Sequence, residues 1–307
     1  MYESYYGFSE KPFQLSPDPR FFFATNHHQR ALSYLQYGLD QGEGFIVITG
    51  PIGTGKTTIA RNLLSSIGDE NIVAAQLVTT KLSPDELLEL VAAEFKIPLK
   101  GNSKAEILRC IEEFLIQLHK QGKRALLLVD EAQNLPSETV EELRMLSNFQ
   151  TDDKPLLQTF LLGQPEFKRI LLSEDMQQLR QRVIATYHLG PMDVSETQAY
   201  IEHRLSTVGW RDNPVFRENA FATIHEYTDG IPRKINLLCD RMLIMGYLEE
   251  LHYFGDSEVA EVINDFQQEF DSSSVELDEP NLSHDKVGNS NKHSLEDMDC
   301  RLEKMEK

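Results

Sequence analysis

Gly50-Pro51-Ile52-Gly53-Thr54-Gly55-Lys56-Thr57-Thr58 follows directly on the apolar run Gly44-Phe45-Ile46-Val47-Ile48-Thr49 and leads into Ile59-Ala60-Arg61-Asn62-Leu63-Leu64. The nine residues fit G-x-x-x-x-G-K-[ST], and they sit between a predicted buried strand and a predicted helix, where a phosphate-binding loop belongs. The glycines let successive backbone N–H groups turn inward as an anion nest at a helix N-terminus. Lys56 is expected to reach the β- and γ-phosphates of a nucleoside triphosphate, and the Thr57 hydroxyl to ligate Mg²⁺. Four fixed positions match by chance in a chain this long at about the one-per-cent level, and the strand–loop–helix setting lowers that further. A glycine-rich turn without a ligand is the alternative.

Outward from the loop, Arg124-Ala125-Leu126-Leu127-Leu128-Val129-Asp130-Glu131 is an apolar run that ends in two adjacent acids. Many buried strands end in an acid. One that lies about 75 residues beyond a phosphate loop, with the candidate strand Ile72–Val78 between, matches the Walker B pattern. Asp130 is expected in the Mg²⁺ shell and Glu131 as the general base that polarises an attacking water. A protein that only binds nucleotide has no need of Glu131, which favours hydrolysis over a nucleotide-gated scaffold.

The run Leu156–Leu162 ends at Gly163-Gln164. A polar residue at the tip of a strand beside the loop strand can orient the lytic water or contact the γ-phosphate, which makes Gln164 a candidate. The competing reading is a turn that starts a helix at Pro165. Arg180 and Arg182, in Leu179-Arg180-Gln181-Arg182-Val183, stand just before the last predicted core strand, Ile184–Leu189. An arginine there can project into a neighbouring subunit's site and neutralise transition-state charge, with Arg182 the first choice and Arg180 the second. The alternative is surface ion pairing of little energetic weight. In Gly230-Ile231-Pro232-Arg233, Arg233 opens a helix from which it can reach back to the γ-phosphate.

The formal net charge of −19 argues against binding duplex nucleic acid, whose phosphates call for a basic face. Cys110, Cys239 and Cys300 are far apart, with no C-x-x-C pair or Cys/His cluster, so neither a disulfide framework nor a zinc site is expected. Residues 1–7 lack the basic start and apolar run of a signal peptide. No stretch approaches the roughly 18–20 apolar residues of a membrane span. The expected location is the cytoplasm.

Strands alternating with helices, each strand nearly all apolar, imply an α/β fold with a parallel sheet covered on both faces. Residues 1–25, rich in aromatics and prolines, are expected as an arm packed on the core; 26–190 as the P-loop core; 191–270 as a lid of four helices. Helix starts are marked by Ser83…Glu86, Ser103…Glu106 and Asp193…Glu196. Residues 271–307, rich in Asp, Glu, Ser and Asn, are expected to be disordered. Within them Leu295, Met298, Leu302 and Met305 can share one helical face for a partner, against the plainer reading of a solvated tail. His27 and His28 are expected to position a base or cap a helix, and Trp210 to anchor a turn. Thr79 and Thr80 stand where a polar residue can restrain Glu131.

Together these motifs resemble the AAA+ ATPases of the ExeA (general secretion pathway protein A) type, and within them the secretion ATPase of exosortase/PEP-CTERM loci. The resemblance spans Met1 to about Phe270. It rests on Tyr5-Tyr6-Gly7-Phe8, Pro12-Phe13, Pro17-Asp18-Pro19-Arg20-Phe21, the Walker A loop, Val129–Leu135 and Glu142–Phe149, together with Leu162–Glu166, Leu179–Val183 and Gly230–Asn236. It implies ATP and Mg²⁺ bound between an AAA+ core and an all-helical lid, ring or filament assembly with an arginine supplied in trans, and work on envelope secretion or exopolysaccharide export at the inner membrane. Long members of the group continue into a membrane span and a peptidoglycan-binding domain. Neither is visible in this sequence, so direct peptidoglycan binding is not expected, and membrane association is expected only through a partner. The transposition ATPases share the core and lid, which leaves a DNA-linked regulator as an alternative; the net charge disfavours DNA.

Overall fold

The structure is a computed structural model of the 307-residue chain, and it describes residues 1–16, 18–66, 71–78, 81–101, 103–151 and 154–275. After a short helix α1 (Tyr2–Tyr6) come α2 (Asn26–Gln41), β1 (Phe45–Thr49), α3 (Lys56–Ser66), β2 (Ile72–Val78), α4 (Pro84–Glu94) and α5 (Lys104–Lys120). Then follow β3 (Arg124–Asp130), α6 (Ser137–Leu146), the two-residue strands β4 (Gln150–Thr151) and β5 (Lys154–Pro155), and β6 (Leu157–Gly163). The core closes with α7 (Pro165–Leu172), α8 (Gln177–Arg180) and β7 (Val183–His188).

The five long strands form one sheet of order β2-β3-β6-β1-β7, with every pair parallel. Alternate residues along β1 serve opposite cores. Phe45 and Val47 join Leu88 and Val91 of α4, Ile111 of α5 and Leu143 of α6, while Ile46 and Ile48 join Leu35 of α2 and Ile59 of α3. Burial on both faces is why β1 and β3 read as nearly unbroken apolar runs. Since β1 is flanked by β6 and β7, the phosphate loop leaves the sheet in its interior, at the carboxyl ends of the strands, where ligands of open α/β sheets bind.

All three capping boxes form. Ser83, Ser103 and Asp193 each accept a hydrogen bond from the backbone of the glutamate three residues on, and that glutamate reaches back. The last begins α9 (Val194–Thr207), followed by β8 (Val215–Phe216), α10 (Glu218–Thr228), α11 (Pro232–Leu248), β9 (Tyr253–Phe254) and α12 (Asp256–Val275). The region is thus not helical throughout: β8 and β9 form a small parallel pair, too short for any alternation to betray it. Residues 1–265 make one compact unit, and a second begins at Phe266. Helix α12 is described to Val275, past the expected boundary at 270, and the segment carrying Leu295, Met298, Leu302 and Met305 lies outside the described residues. Among the described residues no helix is long and apolar enough to cross a membrane.

The arm meets the core through Phe22, which packs against the α2–α3 side of the sheet and meets the His28 ring. Its other anchors are in the C-terminal helices, where its rings and hydroxyls find partners. The Tyr2 hydroxyl donates to Asp240 Oδ1 at 2.5 Å, Tyr6 to the Leu251 carbonyl at 3.0 Å, and the Ser9 N–H to the Val208 carbonyl at 3.0 Å. Phe23 meets the rings of Tyr200 and His203. Burial pushes the phenols of Tyr2 and Tyr6 far above their usual range, so both act only as neutral donors.

Candidate nucleotide-binding site

The phosphate loop is held at one end by the sheet and at the other by α3, and turned by its glycines. Gly50 N–H donates to the Gly163 carbonyl at 3.1 Å, tying the loop's first residue to the tip of β6, and Ile59 N–H closes the first turn of α3 on the Gly55 carbonyl. Gly53 and Gly55 have φ of 85° and 92°, a region a side chain disfavours. A Cβ on Gly53 would also lie 2.6 Å from Arg233 Cβ.

Lys56 is 6% exposed, and its Nζ donates to the Gly50 and Pro51 carbonyls at 2.8 and 3.0 Å. Burial lowers its pKa against the opposing pull of Glu131, Asp130 and Glu166. The loop thus already orients a cation toward the place where phosphate oxygens would replace its own carbonyls.

Asp130, 3% exposed at the end of β3, accepts the Thr57 hydroxyl at 2.5 Å and the Glu131 N–H at 2.9 Å. Among the described residues no cluster of three or more His, Cys, Asp or Glu is arranged to hold a metal alone. A hydroxyl beside one carboxylate suits Mg²⁺, which takes its remaining ligands from substrate phosphates and water. Thr57 and Asp130 therefore fit the ion.

Glu131 has φ 54° and ψ 39°, a left-handed residue between β3 and a one-turn 3-10 helix, Ala132–Asn134. Its Oε2 accepts the side-chain amides of Gln133 at 2.6 Å and Gln164 at 3.1 Å. Burial pushes its carboxyl up, but those two donors and the Lys56 ammonium pull it further down, to below the ordinary glutamate value. Gln164 is both the expected strand-tip residue and the N-cap of α7, although its side chain makes no capping bond.

A cavity of about 380 Å³ opens over the loop. Lys56, Thr57 and Glu131 line it from the core; Tyr200, Arg204, Arg233 and Asn236 line it from the C-terminal helices; Gln14–Ser16 and Phe21–Phe23 line it from the arm. Arg233 N–H donates to the Gly53 carbonyl at 3.3 Å, so the expected lid arginine does stand at the loop. His28 joins α2 to the loop: its Nε2 is 3.1 Å from the Thr54 carbonyl and its Nδ1 is 2.6 Å from Thr25 Oγ1. A carbonyl only accepts, so Nε2 carries the proton and Nδ1 accepts from the threonine, a neutral tautomer consistent with the burial that lowers its pKa.

The two other arginines lie elsewhere. Arg182 precedes β7, and its carbonyl accepts the N–H of Phe45 at the start of β1. That is the opposite edge of the sheet from the loop, roughly 15 Å away by strand length. Its guanidinium donates to Ser147 Oγ at 2.6 Å beside a surface hollow. It is outside its own site. Arg180 donates to the carbonyls of Leu171 and Ser173, both at 2.5 Å, tying down the end of α7. Trp210 Nε1 donates to the Pro214 carbonyl at 2.9 Å across its own turn, as an anchor would. Thr79 and Thr80 are outside the described residues.

Sequence reasoning missed Gln133 and the contribution of the arm, Tyr200, Arg204 and Asn236. Gln133 did carry a signal, being an amide two residues beyond the second acid. The others carried none that is local.

Strand order, loop and paired acids define the P-loop AAA+ architecture: a parallel-sheet core followed by a helical region. Residues 39–171 match the family model described as "AAA domain". The chain is 40% identical over 253 residues to "General secretion pathway protein A" of Aeromonas hydrophila, an alignment covering 82% of this chain and 46% of that protein. The chain therefore spans about half the length of the curated relative it matches. Among solved structures it resembles the ORC2 protein of Aeropyrum pernix in its ADPNP-ADP complexes, with TM-score 0.64 and 17% identity over 84% of this chain and 72% of that one. It also resembles Cdc6p of Pyrobaculum aerophilum, with TM-score 0.66 and 17% identity over 83% and 70% of the respective chains. At such identities these two likenesses speak for the fold alone.

Proposed function

We propose that this protein is an ExeA-type, Mg²⁺-dependent ATPase that hydrolyses ATP to ADP and phosphate. It works as an oligomer in assembling or running an envelope secretion or exopolysaccharide-export system of the exosortase-associated kind. The observation that carries the hydrolytic reading is the convergence of Lys56, Thr57 and Glu131 around one cavity, with Asp130 hydrogen-bonded to Thr57 behind it. The secretion role is supported by the 40% identity to general secretion pathway protein A, and its exosortase association by the motif resemblance alone.

In this reading residues 26–190 are the catalytic core, and 191–270 a lid that senses nucleotide through Arg233. The N–H groups of Gly50–Thr58 and the Lys56 ammonium hold the phosphates. Mg²⁺, held by Thr57 and Asp130 when bound, supplies positive charge against the charge that develops on the phosphoryl oxygens. Glu131 takes a proton from the attacking water, and Gln164 orients that water from the strand tip. Arg182, on the far edge of the sheet, acts on the site of a neighbouring subunit in a ring or filament. The location is cytoplasmic, with the inner membrane reached through a partner component.

Phosphate release from Mg·ATP is measured for the wild type and for Glu131→Gln. The expectation is turnover in the first and a loss of about 100-fold in the second with nucleotide still bound. Equal rates would refute the assignment of Glu131. Strong stimulation by duplex DNA at moderate salt, or recovery of only soluble DNA-metabolism proteins with ATP-bound Glu131→Gln, would overturn the envelope assignment.

A further inference from the structure

Gln133 sits at the centre of a closed set of three hydrogen bonds. Its Nε2 donates to Glu131 Oε2 at 2.6 Å, its Oε1 accepts the Gln164 backbone N–H at 2.9 Å, and the Gln164 side-chain amide donates to the same Glu131 oxygen at 3.1 Å. The orientation of the amide follows from chemistry. A backbone N–H can only donate, so Gln133 must turn its oxygen to Gln164 and its NH₂ to the carboxylate.

Two features of the chain build this arrangement. The left-handed backbone at Glu131 and the 3-10 turn behind it, closed by Asn134 N–H on the Glu131 carbonyl at 2.9 Å, fold residue 133 back toward the tip of β6. The tip itself is Gly163. A Cβ there would stand 3.3 Å from Gln133 Oε1 and 2.9 Å from Phe167 Cβ, so the absence of a side chain is what lets the glutamine and α7 both approach the strand end. A free glutamate side chain has rotamer entropy worth about 1.5–2 kcal/mol to lose. A carboxylate already fixed by two donors has little left to lose when a water is to be aligned.

We propose that Gln133 is a positioning residue that couples the Glu131 carboxylate to the tip of β6, so that the general base and Gln164 act as one unit. The inference rests on the hydrolytic reading of the site and adds to it the group that holds the base in place.

Two substitutions separate the halves of the relay. Gln133→Leu removes both bonds. Gln133→Glu keeps an acceptor for the Gln164 N–H but offers Glu131 no donor. Three quantities are read: affinity for a fluorescent ATP analogue, steady-state kcat and KM, and exchange of the Gln164 amide in nucleotide-free protein. Both variants are expected to bind the analogue within about twofold of wild type and to lose about 10- to 100-fold in kcat at unchanged KM. The Gln164 amide is expected to exchange fast in Gln133→Leu and to stay protected in Gln133→Glu. Gln133→Leu combined with Gln164→Ala is expected to be little slower than Gln133→Leu alone, as for residues that act together.

Full turnover in Gln133→Glu would reduce Gln133 to a structural tie and overturn the proposal. So would additive losses, an effect on KM alone, or a rise in turnover, which marks a restraint instead. If Gln133→Leu fails to fold, Gln133→Glu alone decides the question. A wild type without turnover would refute the hydrolytic reading and this role with it. A working wild type with an unaffected Gln133→Glu variant refutes the role alone.

Discussion

Arg204→Met tests whether the arm is held on the C-terminal helices by one buried cation. The Arg204 side chain is almost fully enclosed, with the residue 4% exposed. Its Nη1 donates to the Tyr200 hydroxyl at 2.7 Å and its Nη2 to the Gln14 carbonyl at 3.2 Å, while its Cζ lies 4.8 Å from the centre of the Phe21 ring. Two hydrogen bonds from a charged donor contribute about 1.5–3 kcal/mol each. A desolvated cation–π contact adds about 2 kcal/mol. Against this stands the desolvation of a guanidinium, several kcal/mol, and Nε has no hydrogen-bond partner to offset it. Methionine keeps much of the stem's packing. The net cost of the substitution is therefore about 2–4 kcal/mol, concentrated where Gln14 and Phe21 meet α9. Urea unfolding reads the total, and tryptic cleavage after Arg20 reads the release of the arm. Because Gln14–Ser16 and Phe21–Phe23 line the cavity, nucleotide affinity should fall as well. A variant within about 0.5 kcal/mol of wild type, with its arm equally resistant to trypsin, would show that Arg204 does not hold the arm.

Gly53→Ala puts a Cβ into the left-handed region at a cost of about 1–2 kcal/mol and against Arg233; calorimetry should show nucleotide affinity reduced about tenfold or more, and unchanged affinity would count against the loop–lid contact. Thr57→Val removes the hydroxyl that meets Asp130, so the gain in ATP affinity on adding Mg²⁺ over EDTA, roughly tenfold or more in the wild type, should vanish. Burial holds the pKa of His28 below its ordinary 6.5, so the folded state binds fewer protons than the unfolded one. Stability is then intact above about pH 6.5 and declines as pH falls toward the folded pKa, by up to about 1.4 kcal/mol per pH unit. Burial lowers His203 in the same direction, so His28→Asn should flatten this slope without abolishing it, as read by urea midpoints between pH 7 and 5.

What could be read from the sequence is what is local. Five largely apolar runs mark the strands, of which the central β1, β3 and β6 are buried on both faces, and the three capping boxes start helices where their serine or aspartate stands. Lys56, Thr57 and Asp130 converge because a loop and two strand ends put them together in any sheet of this order. The arm is the counter-example. Its aromatics announce burial but not against what, since Tyr2 meets Asp240 and Ser9 meets Val208 from the other end of the chain. Arg180 and Arg182 differ by a turn of backbone that no spacing reveals: one folds back onto the end of α7, and the other, past that turn, reaches Ser147.

The placement of the arm changes how the cavity can respond to a nucleotide. Its phosphate end is built from the loop and the start of α3, through Lys56 and Thr57, and from Glu131 just past the end of β3. Its far end is built from the arm and from α9 and α11, which Arg204, Tyr200 and Asn236 tie together by a chain of hydrogen bonds: Arg204 to the Gln14 carbonyl and to Tyr200, and Tyr200 to Asn236 Oδ1 at 2.9 Å. The arm is fastened both to those helices and, through Phe22 against His28, to the core. A change in the angle between helices and sheet would move α9 and α11 against the phosphate loop, with Arg233 at Gly53 as the point of contact. In the proposed reading, a nucleotide that reaches from the loop to the arm holds both walls at a fixed separation.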